Sequence, residues 1–280
     1  IFITGCVLPA DKKKFAQKGI IFFDINNLNA LKNILHRNFN TSNYCKFALN
    51  PQPENKVRLK NKDQVAFIPI MTGCDNYCSY CVVPYTRGRE ISRPYYEIIA
   101  NVKIVIKKGF KEILLLGQNV NSYQYGFAKL LLGIDNIPGD FQFNFVSSNP
   151  HDMTKKLINT LAILKKWPRE LHLPLQSGDD EILRKMNRKY TAEKYLELIE
   201  NFKLKIENLK LSTDIIVGFP DETKKQFENT VKLSKKIKFN KAYIAKYSPR
   251  PGTAAAKLKD NVSPAEKKRR WETLEDLINK

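Results

Sequence analysis

The sequence predicts an α/β fold in which six parallel strands form an incomplete barrel. From residue 65 onward, short apolar runs alternate with amphipathic helices. Helices between consecutive strands indicate right-handed crossovers and a parallel sheet, and six such units are fewer than the eight of a closed barrel. The chain has 280 residues with 42% hydrophobic content, which is enough to bury a core of this size.

The predicted elements follow one another at regular intervals. Strands are predicted at residues 65–70, 113–117, 141–146, 170–174, 211–217 and 242–247. Helices are predicted between them at residues 94–108, 153–165, 191–207 and 223–237. Only the stretch 133–139 is too short for a crossover helix. A last helix is predicted after a capping box in which Ser263 is the N-cap and Glu266 the third helical residue.

The chain divides into three parts by composition. Residues 1–40 predict the C-terminal part of a small α/β domain, because two short apolar runs are followed by a helical pattern. Residues 41–63 are polar, contain two prolines and predict a linker. Residues 64–280 predict the barrel domain. The chain begins without Met inside a predicted strand and ends inside a helix, so we expect it to be cut at both ends.

Composition narrows the class of protein. No stretch approaches the roughly 20 apolar residues that span a membrane. Five cysteines, three of them clustered, are typical of reduced thiols that bind metal rather than of a secreted disulfide framework, so we expect a cytoplasmic protein. The net charge of +20 is compatible with a polyanionic partner. However, 37 of the 48 basic residues are Lys, which is typical of AT-rich genomes, so charge alone does not decide for nucleic acid.

Three cysteines directly follow the first barrel strand. Cys74, Cys78 and Cys81 have the spacing C-x3-C-x2-C. Structural zinc needs a fourth ligand, and no histidine lies at finger spacing. A redox pair of Cys78 and Cys81 leaves Cys74 unexplained. Inert core thiols are a third alternative, and the fourth is a [4Fe–4S] cluster that is held by three thiolates and leaves one iron open.

This loop resembles that of the radical S-adenosylmethionine (SAM) enzymes, in which an aromatic residue precedes the last cysteine, as Tyr80 does here. The resemblance implies that the amino and carboxylate groups of SAM occupy the open iron. It also implies that an electron from the cluster cleaves SAM to a 5′-deoxyadenosyl radical. The cofactor carries that chemistry, and the protein supplies position and a dry site.

Five stretches, of which the first contains the cysteine loop, narrow the resemblance to the methylthiotransferases of the MiaB type, which act on tRNA. They are "GCDNYCSYCVVPYTRGREISRP", "LLGQNVNSYQYG", "LHLPLQSGDDEILRKMNRKYT", "STDIIVGFPDET" and "YSPRPGTAAA". The resemblance implies the radical SAM fold for residues 64–280. It implies that residues 1–40 end a methylthiotransferase domain with a second, auxiliary [4Fe–4S] cluster, of which Cys6 is the third ligand. An RNA-binding TRAM domain follows in the family, and this chain ends before it. Cys45 matches no motif and is interpreted as a free thiol.

The implied reaction is methylthiolation of C2 of N6-isopentenyladenosine beside the anticodon. The auxiliary cluster is the implied sulfur donor. The implied partners are the tRNA anticodon loop, a flavodoxin- or ferredoxin-type electron donor and a supplier of sulfur or clusters. Three alternatives remain: a methylthiotransferase acting on threonylcarbamoyladenosine in tRNA, one acting on a ribosomal-protein aspartate, and a non-catalytic iron–sulfur protein for electron transfer or RNA binding.

Candidate site residues lie at predicted strand ends, where a barrel gathers its functional groups. The candidates for SAM contact are Tyr80, Gly117, Gln118, Asn119, Ser147, Gln176 and Gly218. The alternative for the glycines is a tight turn, and for Ser147 a bridge within a loop. Arg87 and Arg89 are substrate candidates, and Arg93 is a weaker one; solvated loop positions are the alternative. No catalytic acid or base is assigned, and the candidates His151 and His172 are interpreted as structural. Tyr243 and Tyr247 are expected either to stack on a base or to pack against the last helix.

Overall fold

The computed structural model describes residues 65–280 and three short strands before them. These are β1 (Phe2–Ile3), β2 (Ile21–Phe22) and β3 (Arg58–Lys60). Strands β1 and β2 pair in parallel. The predictions for the rest of residues 1–40 and of 41–63, including those for Cys6 and Cys45, lie outside the described residues.

Six barrel strands confirm the prediction to within one or two residues at most ends. They are β4 (Val65–Pro69), β7 (Glu112–Leu116), β8 (Gln142–Phe145), β9 (Glu170–His172), β10 (Lys210–Val217) and β11 (Lys241–Lys246). Two shorter strands, β5 (Met71–Thr72) and β6 (Ile91–Ser92), form an antiparallel pair that flanks the cysteine loop.

Eight α-helices lie in residues 65–280. They are α1 (Val83–Arg87), α2 (Tyr95–Lys107), α3 (Phe127–Asp135), α4 (Lys155–Ile163), α5 (Asp180–Lys185), α6 (Ala192–Lys205), α7 (Lys224–Ile237) and α8 (Pro264–Ile278). Within this part of the chain, every helix is too short or too polar to cross a lipid bilayer.

Apart from the pairs β1-β2 and β5-β6, the described strands form two sheets with the orders β3-β4-β7-β8 and β9-β10-β11. All barrel strands are parallel to their neighbours, and only β3 is antiparallel to β4. The C-terminal ends of the six strands therefore meet at one end, as the incomplete barrel predicts.

Residues alternate along the strands between a buried face and a partly exposed face. Ile68, Leu115 and Phe145 are among the side chains that pack under the helices, and their exposed fraction is 1% or less. Their neighbours on the opposite face, such as Phe67 and Leu114, are only half-buried. The hydrophobic core therefore lies between the strands and the helices, and it does not extend to the inner face of the barrel.

Two local predictions are wrong. The stretch near Gly133 contains the end of a crossover helix, α3, because Gly133 does not break it. A Cβ at Gly133 would overlap the hydroxyl of Tyr95 on α2, so this glycine permits a close helix–helix approach. At α8, Ser263 accepts from the Glu266 amide as predicted, but the Glu266 carboxylate binds Arg269 and Arg270 instead of completing the capping box.

Candidate active site

The cysteine loop begins with a backbone conformation that favours glycine. Gly73 directly precedes Cys74 and has φ +79°, and a Cβ there would overlap the backbone oxygen of Arg89. The Cys74 amide donates to the carbonyl of Gly88 at 3.3 Å. The two ends of the loop are therefore held against each other, and the cysteines lie in the arc between them.

Each of the three sulfur atoms accepts a side-chain or backbone N–H. The donors are Asn76 Nδ2 to Cys74 Sγ at 3.5 Å, Arg188 Nη1 to Cys78 Sγ at 3.2 Å and the Val83 amide to Cys81 Sγ at 3.4 Å. Hydrogen bonds to thiolate sulfur stabilise the ligating form and tune the potential of an iron–sulfur cluster. The residues around the loop therefore supply each sulfur atom with the hydrogen-bond donor that stabilises a cluster ligand.

Burial raises the pKa of the Cys74 and Cys81 thiols, with hydrogen bonds from Asn76 and Val83 opposing it. Metal binding requires thiolates, so these two cysteines are poised to release protons on ligation. In residues 65–280, no three Cys, His, Asp or Glu side chains are grouped as one metal ion would need.

The end of α5 and the segment after it hold the cysteine loop through hydrogen bonds. The Ser79 hydroxyl donates to the carbonyl of Lys185 at 2.8 Å, and its amide donates to that of Met186 at 3.0 Å. The Asn187 side chain donates to the carbonyl of Tyr77 at 2.9 Å. The cysteine loop is therefore attached to residues about one hundred positions later in the chain.

Arg188 connects three parts of the site, and sequence reasoning did not select it. Besides Cys78, its guanidinium donates to Asn149 Oδ1 at 3.2 Å and to the Tyr190 hydroxyl at 3.0 Å. The Tyr190 hydroxyl in turn donates to the carbonyl of Leu175 at 2.9 Å, one residue before Gln176. The available signal was the position of Arg188 inside the quoted "KMNRKYT" motif.

Besides the Tyr247 hydroxyl after β11, four buried side-chain oxygens at the strand ends have no hydrogen-bond partner among the described residues. They are Gln118 Oε1, Asn119 Oδ1, Ser148 Oγ and Gln176 Oε1, which follow β7, β8 and β9. Buried polar atoms are nearly always paired in native structures, so a cluster of unpaired ones indicates a binding site for a polar ligand. Three of the four belong to predicted SAM contacts, and Ser148 was not predicted.

Two of the predicted residues have left-handed backbone conformations. Ser147 has φ +67° and Gln176 has φ +66°, which is uncommon for residues other than glycine. The Ser147 carbonyl accepts from the Val120 amide, and the Gln176 backbone bonds to Asp214 and Ile216. Such strained residues concentrate at functional sites, where the surrounding structure holds them.

The two predicted glycines have packing reasons of their own. A Cβ at Gly117 would crowd the side chain of Met71, and one at Gly218, with φ +69°, would overlap Lys267. The Gly218 amide also donates to Glu222 Oε2 at 2.6 Å. Their role as SAM contacts stays a prediction.

A cavity of about 710 Å³ brings the cysteine loop and the strand ends together. Its lining includes Tyr80, Cys81, Gln176 and Asp214. Burial raises the pKa of Tyr80 well above its usual value, with the positive charge of Arg188 opposing it. Asp214 was not selected from the sequence, because an acid inside a strand is not distinguished by pattern alone.

The arginines after the loop differ in their surroundings. Arg93 is buried and donates from Nη1 to the carbonyl of Pro69 at 2.7 Å, so it holds the backbone rather than facing a substrate. The Arg89 side chain is 75% exposed and pairs with Asp75 at 3.0 Å. Arg87 ends α1 at an exposed position. The substrate role of Arg87 and Arg89 stays a prediction.

The remaining candidate residues differ in their exposure to solvent. Tyr247 is buried against Phe219, with ring centroids 5.1 Å apart, so it packs. Tyr243 is 59% exposed and faces the barrel interior beside His172. His172 contacts Ser212 and Asp214, whereas His151 is exposed.

Comparison with known proteins decides the family. The sequence profile of the radical SAM superfamily matches residues 68–234. The chain belongs to the radical SAM superfamily. Membership makes a [4Fe–4S] cluster and SAM the cofactors, and the three thiols and unpaired polar atoms described above fit them.

Curated relatives cover the whole chain. It is 42% identical to a tRNA-2-methylthio-N(6)-dimethylallyladenosine synthase of Clostridium botulinum strain Hall and spans 65% of that protein. It is 41% identical to a protein of the same name from Thermoanaerobacter sp. strain X514 and spans 62% of it. The chain thus covers somewhat less than two thirds of these relatives.

Solved structures share the fold at low sequence identity. The radical SAM methyltransferase TsrM from Kitasatospora setae, with cobalamin and a [4Fe–4S] cluster bound, has a TM-score of 0.59 and 17% identity. That match covers 68% of this chain and 38% of TsrM. Coproporphyrinogen III oxidase from Escherichia coli has a TM-score of 0.54 and 18% identity, over 76% of this chain and 51% of the oxidase. These likenesses confirm the radical SAM barrel.

Proposed function

We propose that this chain is the radical SAM part of a tRNA methylthiotransferase that acts on C2 of N6-isopentenyladenosine, next to the anticodon. The observation that carries the proposal is identity of 41–42% along the whole chain to synthases named for the 2-methylthio derivative of N6-dimethylallyladenosine in tRNA. The dimethylallyl group is the isopentenyl group under another name.

Cys74, Cys78 and Cys81 would hold the [4Fe–4S] cluster, with Arg188 and Asn76 donating to its sulfur ligands. When bound, the cluster and SAM would supply a carbon-centred radical able to remove hydrogen from an unactivated carbon. Gln118, Asn119 and Gln176 would bind the polar groups of SAM through oxygens that otherwise have no partner. Tyr80, Ser147, Gly117 and Gly218 would complete the contact surface.

Residues 1–40 would end a separate methylthiotransferase domain, in which Cys6 ligates an auxiliary cluster that provides the sulfur. Residues 41–63 would link it to the barrel. The partners would be the tRNA anticodon loop, an electron donor of the flavodoxin or ferredoxin type and a supplier of sulfur or clusters, all in the cytoplasm. Arg87 and Arg89, exposed beside the cysteine loop, would contact tRNA phosphates.

Mass spectrometry of modified nucleosides tests the substrate. In tRNA from a strain that lacks the gene, we expect N6-isopentenyladenosine to accumulate and its 2-methylthio derivative to disappear. The gene with Cys78→Ala should fail to restore the derivative, and the intact gene should restore it. Persistence of 2-methylthio-N6-isopentenyladenosine in the deletion strain would reject the proposal. Loss of the 2-methylthio derivative of threonylcarbamoyladenosine instead would establish the alternative tRNA substrate.

A further inference from the structure

Residues 248–263, which connect β11 to α8 and are called here the β11–α8 segment, contact the cysteine loop. Most of this segment is exposed, as connecting segments usually are, but Thr253 and Ala255 have exposed fractions of 1% or less. The Ala255 amide donates to the carbonyl of Ser79 at 2.8 Å. The segment is therefore anchored on the residue that directly follows Cys78.

Ser79 and Tyr80 are the two central residues of the turn that joins Cys78 to Cys81. The Cys81 amide donates to the carbonyl of Cys78 at 2.9 Å and closes this turn. Because only two residues separate the cysteines, the conformation of the turn sets the relative positions of their sulfur atoms. Contacts that hold Ser79 and Tyr80 therefore also position the two cysteines.

Both backbone polar groups of Ser79 are bound by distant parts of the chain. Its amide donates to the carbonyl of Met186 at 3.0 Å, and its carbonyl accepts from the Ala255 amide. Tyr80 packs against a small hydrophobic cluster to which Met186 and Ala255 both belong. The turn between the cysteines is therefore held by the residue after α5 and by the β11–α8 segment together.

A tight turn precedes Ala255 in the β11–α8 segment. The Thr253 amide donates to the carbonyl of Arg250 at 3.1 Å and closes this turn across Pro251 and Gly252. Proline followed by glycine, with φ +84° at Gly252, is typical of a type II turn. The sequence of this stretch thus accounts for its backbone conformation.

The Thr253 hydroxyl connects the turn to the residues that follow it. It donates to the carbonyl of Arg250 at 2.7 Å and accepts from the Ala256 amide at 3.4 Å. Ala256 belongs to the short 3-10 helix Ala255–Lys257, whose first amide donates to Ser79. The hydroxyl therefore fixes the direction in which the Ala255 amide is presented.

The β11–α8 segment reaches the candidate active site with its first residues. Arg250 lines the cavity of about 710 Å³ together with Tyr80 and Cys81, and the lining does not include Thr253 or Ala255. An effect of Thr253 on the cysteines must therefore pass through the backbone contact of Ala255.

We propose that Thr253 is a positioning residue for the cysteine loop. Its hydroxyl holds the Ala255 amide against Ser79. This contact keeps the turn between Cys78 and Cys81 in one conformation before the cluster binds. The inference goes beyond the proposed function, because it concerns the radical SAM core and holds for any substrate.

Alkylation of the cysteines tests the inference in the cluster-free full chain. Anaerobic labelling with iodoacetamide and peptide mass spectrometry give a rate for each cysteine. Cys74 is the internal reference, because its amide binds Gly88 and not the β11–α8 segment. In Thr253→Val we expect Cys78 and Cys81 to react about three- to tenfold faster relative to this reference, because a side-chain hydrogen bond that closes the turn is lost. Thr253→Ser keeps the hydroxyl and should restore the ratio.

Release of iron from the reconstituted protein to a chelator is the second measurement. It is made in the Cys6→Ala background, so that an auxiliary cluster contributes no iron. We expect faster release in Thr253→Val and normal release in Thr253→Ser. Ser234→Ala is the matched control, because the Ser234 hydroxyl is as buried as Thr253 and donates to the carbonyl of Thr230 at 2.8 Å within α7. It should change neither measurement.

A further variant decides the question if Thr253→Val does not fold by thermal melting. Gly252→Ala strains the same turn at an exposed position, since alanine is disfavoured at φ +84°, and should raise the same ratio. An unchanged ratio would overturn the inference, whether no cysteine reacts faster or all three react faster together. A defect that Thr253→Ser shares with Thr253→Val would also overturn it, because the hydroxyl would then not be responsible.

Discussion

The guanidinium of Arg188 donates to Cys78 Sγ and to Asn149 Oδ1, each at 3.2 Å, and so ties the cysteine loop to the end of β8. A lysine keeps the charge but has no planar fork that reaches both partners. In Arg188→Lys we expect less iron per chain after reconstitution and a more negative cluster reduction potential, because one N–H to sulfur is lost.

Iron analysis and potentiometric titration followed by electron paramagnetic resonance measure both effects. Arg184→Lys, at an exposed position of α5, is the matched control and should behave as the unchanged protein. An Arg188→Lys protein with normal iron and an unchanged potential would show that Arg188 does not act on the cluster.

Gly73 gives a prediction about the shape of the cysteine loop. Gly73→Ala adds a Cβ that overlaps the backbone of Arg89, whereas Gly88→Ala, at φ +77° in the same loop, adds one that meets nothing within 4 Å. Both positions have a positive φ, which costs an alanine about 1–3 kcal/mol. We expect Gly73→Ala to lose a further 1–3 kcal/mol or so of unfolding free energy, because of overpacking. Urea denaturation measures the difference, and equal losses would refute the close approach.

The buried ion pair of Glu222 and Arg270 holds α8 against the loop after β10. The two side chains are 2.7 Å apart and almost fully buried, and Glu222 also accepts from the Gly218 amide. Arg270→Met leaves the carboxylate without its charged partner, so we expect a loss of about 3–5 kcal/mol in unfolding free energy. Glu222→Gln combined with Arg270→Met should recover part of it.

Arg269→Met is the control for this pair, because Arg269 is half exposed and binds Glu266 at the surface. We expect it to lose about 1 kcal/mol or less. If Arg270→Met lost no more unfolding free energy than Arg269→Met in the same denaturation experiment, the buried pair would contribute no more to stability than the surface pair.

Glu266 predicts a pH dependence of stability. Its hydrogen bonds to Arg269, opposed by burial, and those to Arg270 lower its pKa from 4.5 to about 2. A lowered acid pKa stabilises the fold above the unfolded pKa, and the gain is lost as pH falls from about 4.5 toward 2. The stability difference between the protein and Glu266→Gln should therefore shrink between pH 6 and pH 3, from about 1 kcal/mol at this partly exposed site.

Chemical denaturation at several pH values checks this expectation. Glu272→Gln is the control, because Glu272 is exposed and pairs with Lys268 at 3.7 Å. A difference for Glu266→Gln that stayed constant over the same range would contradict the lowered pKa.

The barrel strands were predictable because one face of each strand is buried, and this burial appears in the sequence as alternating apolar and polar residues. Helix α3 was missed because the stretch 133–139 is too short for a crossover helix, whereas the helix begins earlier, at Phe127. The role of Gly133 depends on Tyr95 of another helix. The cysteine spacing and the positions of Gln118, Asn119 and Gln176 after strands could also be recognised in the sequence, and their roles as cofactor ligands stay predictions.

Contacts between distant parts of the chain were not predictable. Arg188 is separated by 110 residues from Cys78 and by 39 from Asn149, and no local pattern encodes such pairs. The shared inner face of Phe67 and Leu114 was missed for a related reason, since half-buried apolar residues on β4 and β7 look like ordinary strand residues in a sequence. Only the register across β4, β7 and β8 shows that they share a face.

The measurement that tests the central claim most directly is electron paramagnetic resonance of the reduced, cluster-reconstituted protein with and without SAM. Three cysteine ligands and an open iron predict that SAM changes the spectrum and that 5′-deoxyadenosine forms, and that both are lost in Cys78→Ala. A spectrum that SAM leaves unchanged, with no 5′-deoxyadenosine formed, would contradict the account and favour a non-catalytic iron–sulfur protein.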